Sequence, residues 1–140
     1  DKLAVKLGGC ANHRIGLYAM FLIKDNHIEV VGSITKAVEA CVKYNKKHYK
    51  KFKIEVETKN LKEVEEALTT KADIIMLDNF DIDEMKKAVK IINGKCKVEA
   101  SGGVNLDTVK TIAETGVDFI SVGALTHSVK ALDISLEITL

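Results

Sequence analysis

Proline is missing from this sequence altogether, and no Gly/Ser-rich stretch interrupts it. With neither kind of spacer, nothing marks an internal boundary, and 140 residues read as about one domain. No apolar run approaches the roughly 20 residues that a membrane-spanning helix needs, and the N-terminus lacks the pattern of a signal peptide, so no membrane role is expected. An excess of one charge is missing too. Lys and Arg number 21 against 20 Asp and Glu, a net +1, which leaves no footprint for nucleic acid. The one basic run, KKHYKK (Lys46–Lys51), reads as a solvated loop. Cysteine is scarce: Cys10, Cys41 and Cys96 are odd in number, widely spaced and without a C-x-x-C. Reduced thiols in a cytoplasmic protein are the expectation.

What is present is 46% apolar and 29% charged residues, the balance of a soluble globular protein. Short apolar runs alternate with stretches of helical period. MFLIKDN, FKIEVET, DIIMLDN, CKVEASGG and DFISVGA read as strands. SITKAVEACVKYNKK, NLKEVEEALTTK, DIDEMKKAVKIIN and NLDTVKTIAETG read as helices, the second opened by Asn60 and the third stopped by Gly94. A short helix and an apolar end follow. The opening DKLAVKLGGC reads as starting mid-pattern, with no N-cap and no first strand.

Strands separated by helices pair in parallel, because parallel neighbours need crossovers. The near-continuous apolar runs Ile74–Leu77 and Phe119–Val122 suggest burial on both faces. A strand–helix–strand unit also occurs twice. EVETKNLKEVEEALTTKADIIMLDNF superposes without a gap on ASGGVNLDTVKTIAETGVDFISVGAL, so that Leu61 matches Leu106, Ala72 matches Val117 and Asp73 matches Asp118, each 45 residues on. Such repetition favours a parallel (β/α) barrel over an open doubly wound sheet.

In KADIIMLDNF, four apolar side chains end on Asp78. The C-terminal ends of parallel strands converge on one rim, where sites are built. The ends here are Lys24, Glu57, Asp78, Ser101–Gly102–Gly103 and Gly123. One cation, two carboxylates and two glycine turns suit an anionic substrate with a metal. SGGVN and VGALTH, each expected to lead into a helix N-terminus, form a pair suited to phosphate; the alternative is that the glycines only shape tight turns. His13 and Arg14, in NHR, suit carboxylate recognition or are a surface pair. Lys24 ends an apolar strand, either toward substrate or in an ion pair with Glu57 or Asp78. Glu57 and Asp78, on neighbouring strand ends, can hold Mg²⁺, bind ribose hydroxyls or stabilise a developing cation. Glu55 shares the face of Glu57 by strand alternation.

These stretches resemble the C-terminal domain of the quinolinate phosphoribosyltransferase family, over nearly the whole chain. NHRIGLY, LIKDNHI and ISVGALTHS, in that order, are the specific ones. The resemblance implies a type II phosphoribosyltransferase barrel, lacking its start here, as a partial domain over 1–140 without the family's N-terminal α/β-sandwich domain. It implies transfer of phosphoribosyl from phosphoribosyl pyrophosphate to quinolinate with loss of CO₂, Mg²⁺ as cofactor, and a homodimer or larger assembly. By the same resemblance, His13, Arg14 and Lys24 surround the quinolinate carboxylates. Glu57 and Asp78 serve ribose and metal, with Lys24 as the third catalytic group. Ser101, Gly102, Gly103, Gly123 and His127 hold phosphate. Cys10 departs from a glycine that is usual there, and Ala19 from an Asp. Three alternatives stay open: a non-catalytic phosphate-binding piece, a related transferase with another substrate, and a barrel aldolase using Lys24.

Overall fold

The computed structural model describes residues 1–139. Five parallel strands form one sheet in the order β1 (Phe21–Ile23), β2 (Ile54–Thr58), β3 (Ile74–Asp78), β4 (Lys97–Ser101) and β5 (Phe119–Ile120). Every strand lies beside its neighbour in sequence. The sheet does not close, so β1 and β5 are its edges. α3 (Ile34–Lys47), α4 (Leu61–Leu68), α5 (Ile82–Ile92) and α6 (Val109–Ala113) connect successive strands.

These four helices share one face of the sheet. Ala37 and Val38, Val64 and Ala67, Met85 and Ala88, and Ile112 join Val56, Ile75, Leu77, Val98 and Ala100 in a single buried cluster. Each side chain of the Leu or Ile kind contributes about 1.5–3 kcal/mol by leaving water. The one-sided helix layer, with consecutive strand order, is a segment of a (β/α) barrel rather than a doubly wound sheet. The helices start where their residues dictate. Ser33, Asn60 and Asp81 accept hydrogen bonds from the backbone N–H of Lys36, Glu63 and Glu84 at the N-termini of α3, α4 and α5, satisfying donors that a helix start leaves unpaired.

The sequence repeat has a structural counterpart. Asp73 Oδ2 accepts from Ile54 N at 2.8 Å, and Asp118 Oδ2 from Val98 N at 2.9 Å. In both units the Asp before the second strand latches an amide at the start of the first strand, that of the first residue of β2 and of the second residue of β4. Lys97 adds an ion pair to Asp118 at 2.6 Å, and this holds the Asp118 carboxyl below its ordinary range, helped by the bond from Val98 N.

Four expectations need correction. The opening stretch, expected to lack an N-cap, forms a helix, α1 (Lys2–Leu7), with Asp1 at its N-cap position, although the Asp1 side chain makes no cap hydrogen bond. Asp25–Val31 is a second unforeseen helix, α2, directly after β1. Ile74–Leu77 is buried throughout, but Phe119–Val122 is not. Phe119 is 47% exposed, because β5 is a two-residue edge with no strand beyond it. The KKHYKK run is exposed as foreseen, except that Lys46 and Lys47 still belong to α3.

Candidate functional site

Strand register sorts the side chains. Leu22 stands beside Glu55 and Glu55 beside Ile74; Glu57 stands beside Met76 and Met76 beside Glu99; Asp78 stands beside Ser101. Paired residues share a face and alternate residues share it along a strand. All of these therefore lie opposite the helix layer, on what we call the open face. Ile74 and Met76 are buried there and take no part in the helix-side cluster. Two rows of polar groups follow, one at the strand ends and one deeper.

At the strand ends, Lys24 leaves β1 and its Nζ lies 3.3 Å from Glu57 Oε2. The ion pair weighed from the sequence thus forms. Its partners differ in setting: the Lys24 side chain is 48% exposed and that of Glu57 only 11%. Asp78 closes β3 half-buried, with one oxygen accepting from Asn79 Nδ2 at 3.0 Å. Glu57, nearer the strand ends than Glu55, is the carboxylate at the rim.

Deeper, His13 Nε2 is 2.7 Å from Glu55 Oε2 and 3.8 Å from Glu99 Oε1. Glu55 is fully buried and Glu99 is 4% exposed. The Ser121 hydroxyl donates to Glu99 Oε1. The hydrogen bond to Glu55 raises His13 above its ordinary value; burial opposes this, while the charges of Glu55 and Glu99 reinforce it. Burial pushes the Glu99 carboxyl up, partly offset by Ser121. Arg14, beside His13, makes no ion pair among the described residues. Sequence reasoning missed Glu99 and Ser121. The available signal was a carboxylate in mid-strand, between Val98 and Ala100 in KVEAS, where a buried strand calls for an apolar residue.

One of the glycine turns differs from expectation. Ser101 ends β4, but α6 begins only at Val109, so no helix N-terminus directly follows Gly102–Gly103. Gly123 does lead into a helix N-terminus, as the N-cap of the four-residue α7 (Ala124–His127). Gly102 has φ +94°, and a Cβ there would meet Asn79 Oδ1 at 2.1 Å. The turn therefore requires glycine whether or not it binds a ligand. A Cβ at Gly123 would lie 2.8 Å from His127 Nε2.

Of the oxygen donors, Glu57 and Asp78 share the open face, with Asp78 two residues beyond the strand partner of Glu57. Their hard carboxylate oxygens at an accessible rim fit Mg²⁺, which keeps several waters and binds through one or two carboxylates plus substrate phosphates. The deeper His13–Glu55–Glu99 group, with donor atoms all within 4.8 Å of one another, suits Mg²⁺ less well, because it brings an imidazole nitrogen where Mg²⁺ prefers oxygen ligands. Two surface hollows, of about 510 and 400 Å³, are lined partly by Lys46 and Lys71 and lie away from the rim, the larger one reaching Ile54 and Asp73.

The family model described as "Quinolinate phosphoribosyl transferase, C-terminal domain" matches residues 1–137. The chain belongs to this family. It is 50% identical over 153 residues to a rice (Oryza sativa subsp. japonica) protein named nicotinate-nucleotide pyrophosphorylase [carboxylating], chloroplastic, covering 99% of this chain and 41% of that protein. It is 45% identical to the Bacillus subtilis (strain 168) protein named probable nicotinate-nucleotide pyrophosphorylase [carboxylating], covering 100% of the chain and 47% of the relative. The solved nicotinate-nucleotide pyrophosphorylase of Francisella tularensis superposes with a TM-score of 0.87 at 48% identity, over 94% of this chain and 46% of that one. The chain thus spans somewhat under half the length of the relatives it matches. The quinolinate phosphoribosyl transferase assignment agrees with the open parallel sheet and with a polar rim at the strand ends. No helix among the described residues is long and apolar enough to cross a membrane.

Proposed function

We propose that the complete protein carrying this chain transfers phosphoribosyl from phosphoribosyl pyrophosphate to quinolinate, releasing pyrophosphate and CO₂ and giving nicotinate mononucleotide. The observation that carries this reading is the rim itself, where Lys24 pairs with Glu57 beside Asp78 at adjacent strand ends, on a chain of this family. Departure of pyrophosphate leaves positive charge on the ribose, which the fixed carboxylates of Glu57 and Asp78 stabilise. The quinolinate nitrogen forms the bond to ribose C1. The pyridinium so made accepts the electron pair of the breaking C–CO₂ bond, and a proton replaces the lost carboxylate. Lys24, His13 and Arg14 orient the two carboxylates of quinolinate; gripping the departing one too tightly would oppose its loss. Ser101, Gly102, Gly103, Gly123 and His127 receive phosphate. Glu57 and Asp78 would hold Mg²⁺, which supplies charge neutralisation for pyrophosphate.

The family's N-terminal α/β-sandwich domain and a homodimer or larger assembly belong to the same proposal. The exposure of Leu132, Ile134, Leu136 and Ile138, each at least 78%, supports further burial in the complete assembly. Three unpaired cysteines support a reducing compartment, the cytoplasm, although the rice and tobacco relatives are named for chloroplast and mitochondrion.

The test is release of labelled CO₂ from carboxyl-labelled quinolinate by the complete protein with phosphoribosyl pyrophosphate and Mg²⁺. Lys24→Met should lower kcat/KM by about 10- to 10²-fold, the loss expected of one charge-assisted contact, with an unchanged melting profile. Absence of release by the unaltered protein would overturn the reading. Near-normal kcat/KM in the variant would make Lys24 structural.

A further inference from the structure

Two carboxylates sit deep on the open face, away from the rim. Glu55 has no exposed surface and Glu99 has 4%. Burying such groups is costly unless they are paired. Apolar residues would fill the space, as Ile74 and Met76 do on the strand between them. What the two Glu share is one partner, the ring of His13, 2.7 Å from Glu55 and 3.8 Å from Glu99. Glu55 Oε1 is buried with no hydrogen-bond partner among the described residues, and the cationic partner of Oε2 is His13.

His13 comes from an irregular segment between α1 and β1. The other side-chain hydrogen bonds of that segment stay within the N-terminal region: Asn12 donates to Lys2 O, and the Lys2 ammonium to Arg14 O. Ile15, Leu17 and Tyr18 are 70%, 83% and 72% exposed. The polar link from this stretch to the sheet is therefore His13, across 42 residues of sequence to Glu55.

We infer that Glu55 and Glu99 are positioning residues: gripping His13 from β2 and β4, they hold the segment that bears Arg14 in place over the open face. This rests on the reading that His13 and Arg14 meet the quinolinate carboxylates. Nε2 is engaged by Glu55, and Nδ1 has no partner among the described residues, which leaves it for a ligand. The two Glu are not equivalent. Glu55 Oε2 is 2.7 Å from Nε2, within hydrogen-bond reach, whereas Glu99 Oε1 is 3.8 Å away and accepts from the Ser121 hydroxyl. Glutamine keeps the shape of either side chain and removes its charge, which matters more at the closer contact.

The experiment uses the complete protein with ¹⁵N-labelled histidine, reading the His13 ring by NMR and steady-state kinetics for both substrates. Glu55→Gln should shift the ring signals and raise the KM for quinolinate at least about tenfold, the loss expected of a charge-assisted bond. The KM for phosphoribosyl pyrophosphate should stay within about twofold, since only ground-state acceptor binding is touched. Glu99→Gln should leave both readouts near the parent, and Glu99→Ala should move both. Glu55→Asp, one methylene shorter, serves if the Gln variant does not fold. Unchanged ring signals and quinolinate KM in the Glu55 variant would overturn the inference, as would a fall in kcat alone. If the parent turns over no quinolinate, the functional reading has failed, and the ring signals alone decide: a shift in Glu55→Gln supports the grip and no shift overturns it.

Discussion

The same strands present two chemically opposed faces. Toward the helices, β2, β3 and β4 offer Val56, Ile75, Leu77, Val98 and Ala100, none more than 4% exposed. Toward the open side, the residues between them are Glu55, Glu57, Met76, Asp78 and Glu99. One face stabilises by removing apolar surface from water. The other bears charge that the first must support. Stability and chemistry are thereby separated by one step along a strand, and a change of register by one residue would exchange them.

That separation makes the faces separable by mutation. The largest stability effect should come from Leu77→Ala, which opens a cavity in the helix-side cluster and should cost about 2–5 kcal/mol, read as a shift in denaturant midpoint. The quinolinate KM of the surviving folded protein should not change; a matching rise in KM would show that the faces are coupled. Asn60→Ala removes the cap of α4, whose side chain accepts from Glu63 N at 3.1 Å, and should cost about 1 kcal/mol, again with KM unaltered. A loss greater than that of Leu77→Ala would refute the ranking.

The smallest effect is a pH slope. His13 is raised above its ordinary 6.5 by Glu55 and Glu99, against Arg14. Its contribution is therefore complete below that value and is lost as pH rises through the raised one. Glu99 is raised from 4.5 by burial. The native state keeps a proton that the unfolded chain has released, so this contribution too declines on the alkaline side of 4.5. Asp118, lowered from 3.8, acts in the opposite sense and weakens as pH falls through its folded value. Denaturant midpoints should decline above about pH 6.5, and Glu55→Gln should flatten that decline. A decline of equal slope in the variant would place its origin elsewhere.

Much of this was legible in the residues. Period separated helices from strands because amphipathic faces must be buried one-sidedly, and the Asn60 cap stands at its predicted end. The rim followed from where apolar runs stop, and the Lys24–Glu57 pair was among the alternatives. The rest depended on information that local pattern lacks. α2 begins at the residue after Lys24, where His27 Nδ1 accepts from Lys24 N at 2.9 Å, and neither is a usual capping residue. β5 became an exposed edge because burial of Phe119 requires a neighbouring strand that these residues do not supply. The grip on His13 joins an aperiodic segment to strands 42 and 86 residues away. No spacing rule reaches that far.

The latch that Asp73 places on Ile54 N and Asp118 on Val98 N has a consequence for how the chain is born. Each strand pairs with the one made just before it, and each latch closes within some 20 residues of sequence. A ribosome adding about 5–20 residues per second delivers such a unit every few seconds, far longer than the microseconds in which helices and hairpins form. Every unit can thus lock onto its predecessor during synthesis, so that the nascent sheet widens by one strand at a time and always leaves a single unfinished edge facing the ribosome.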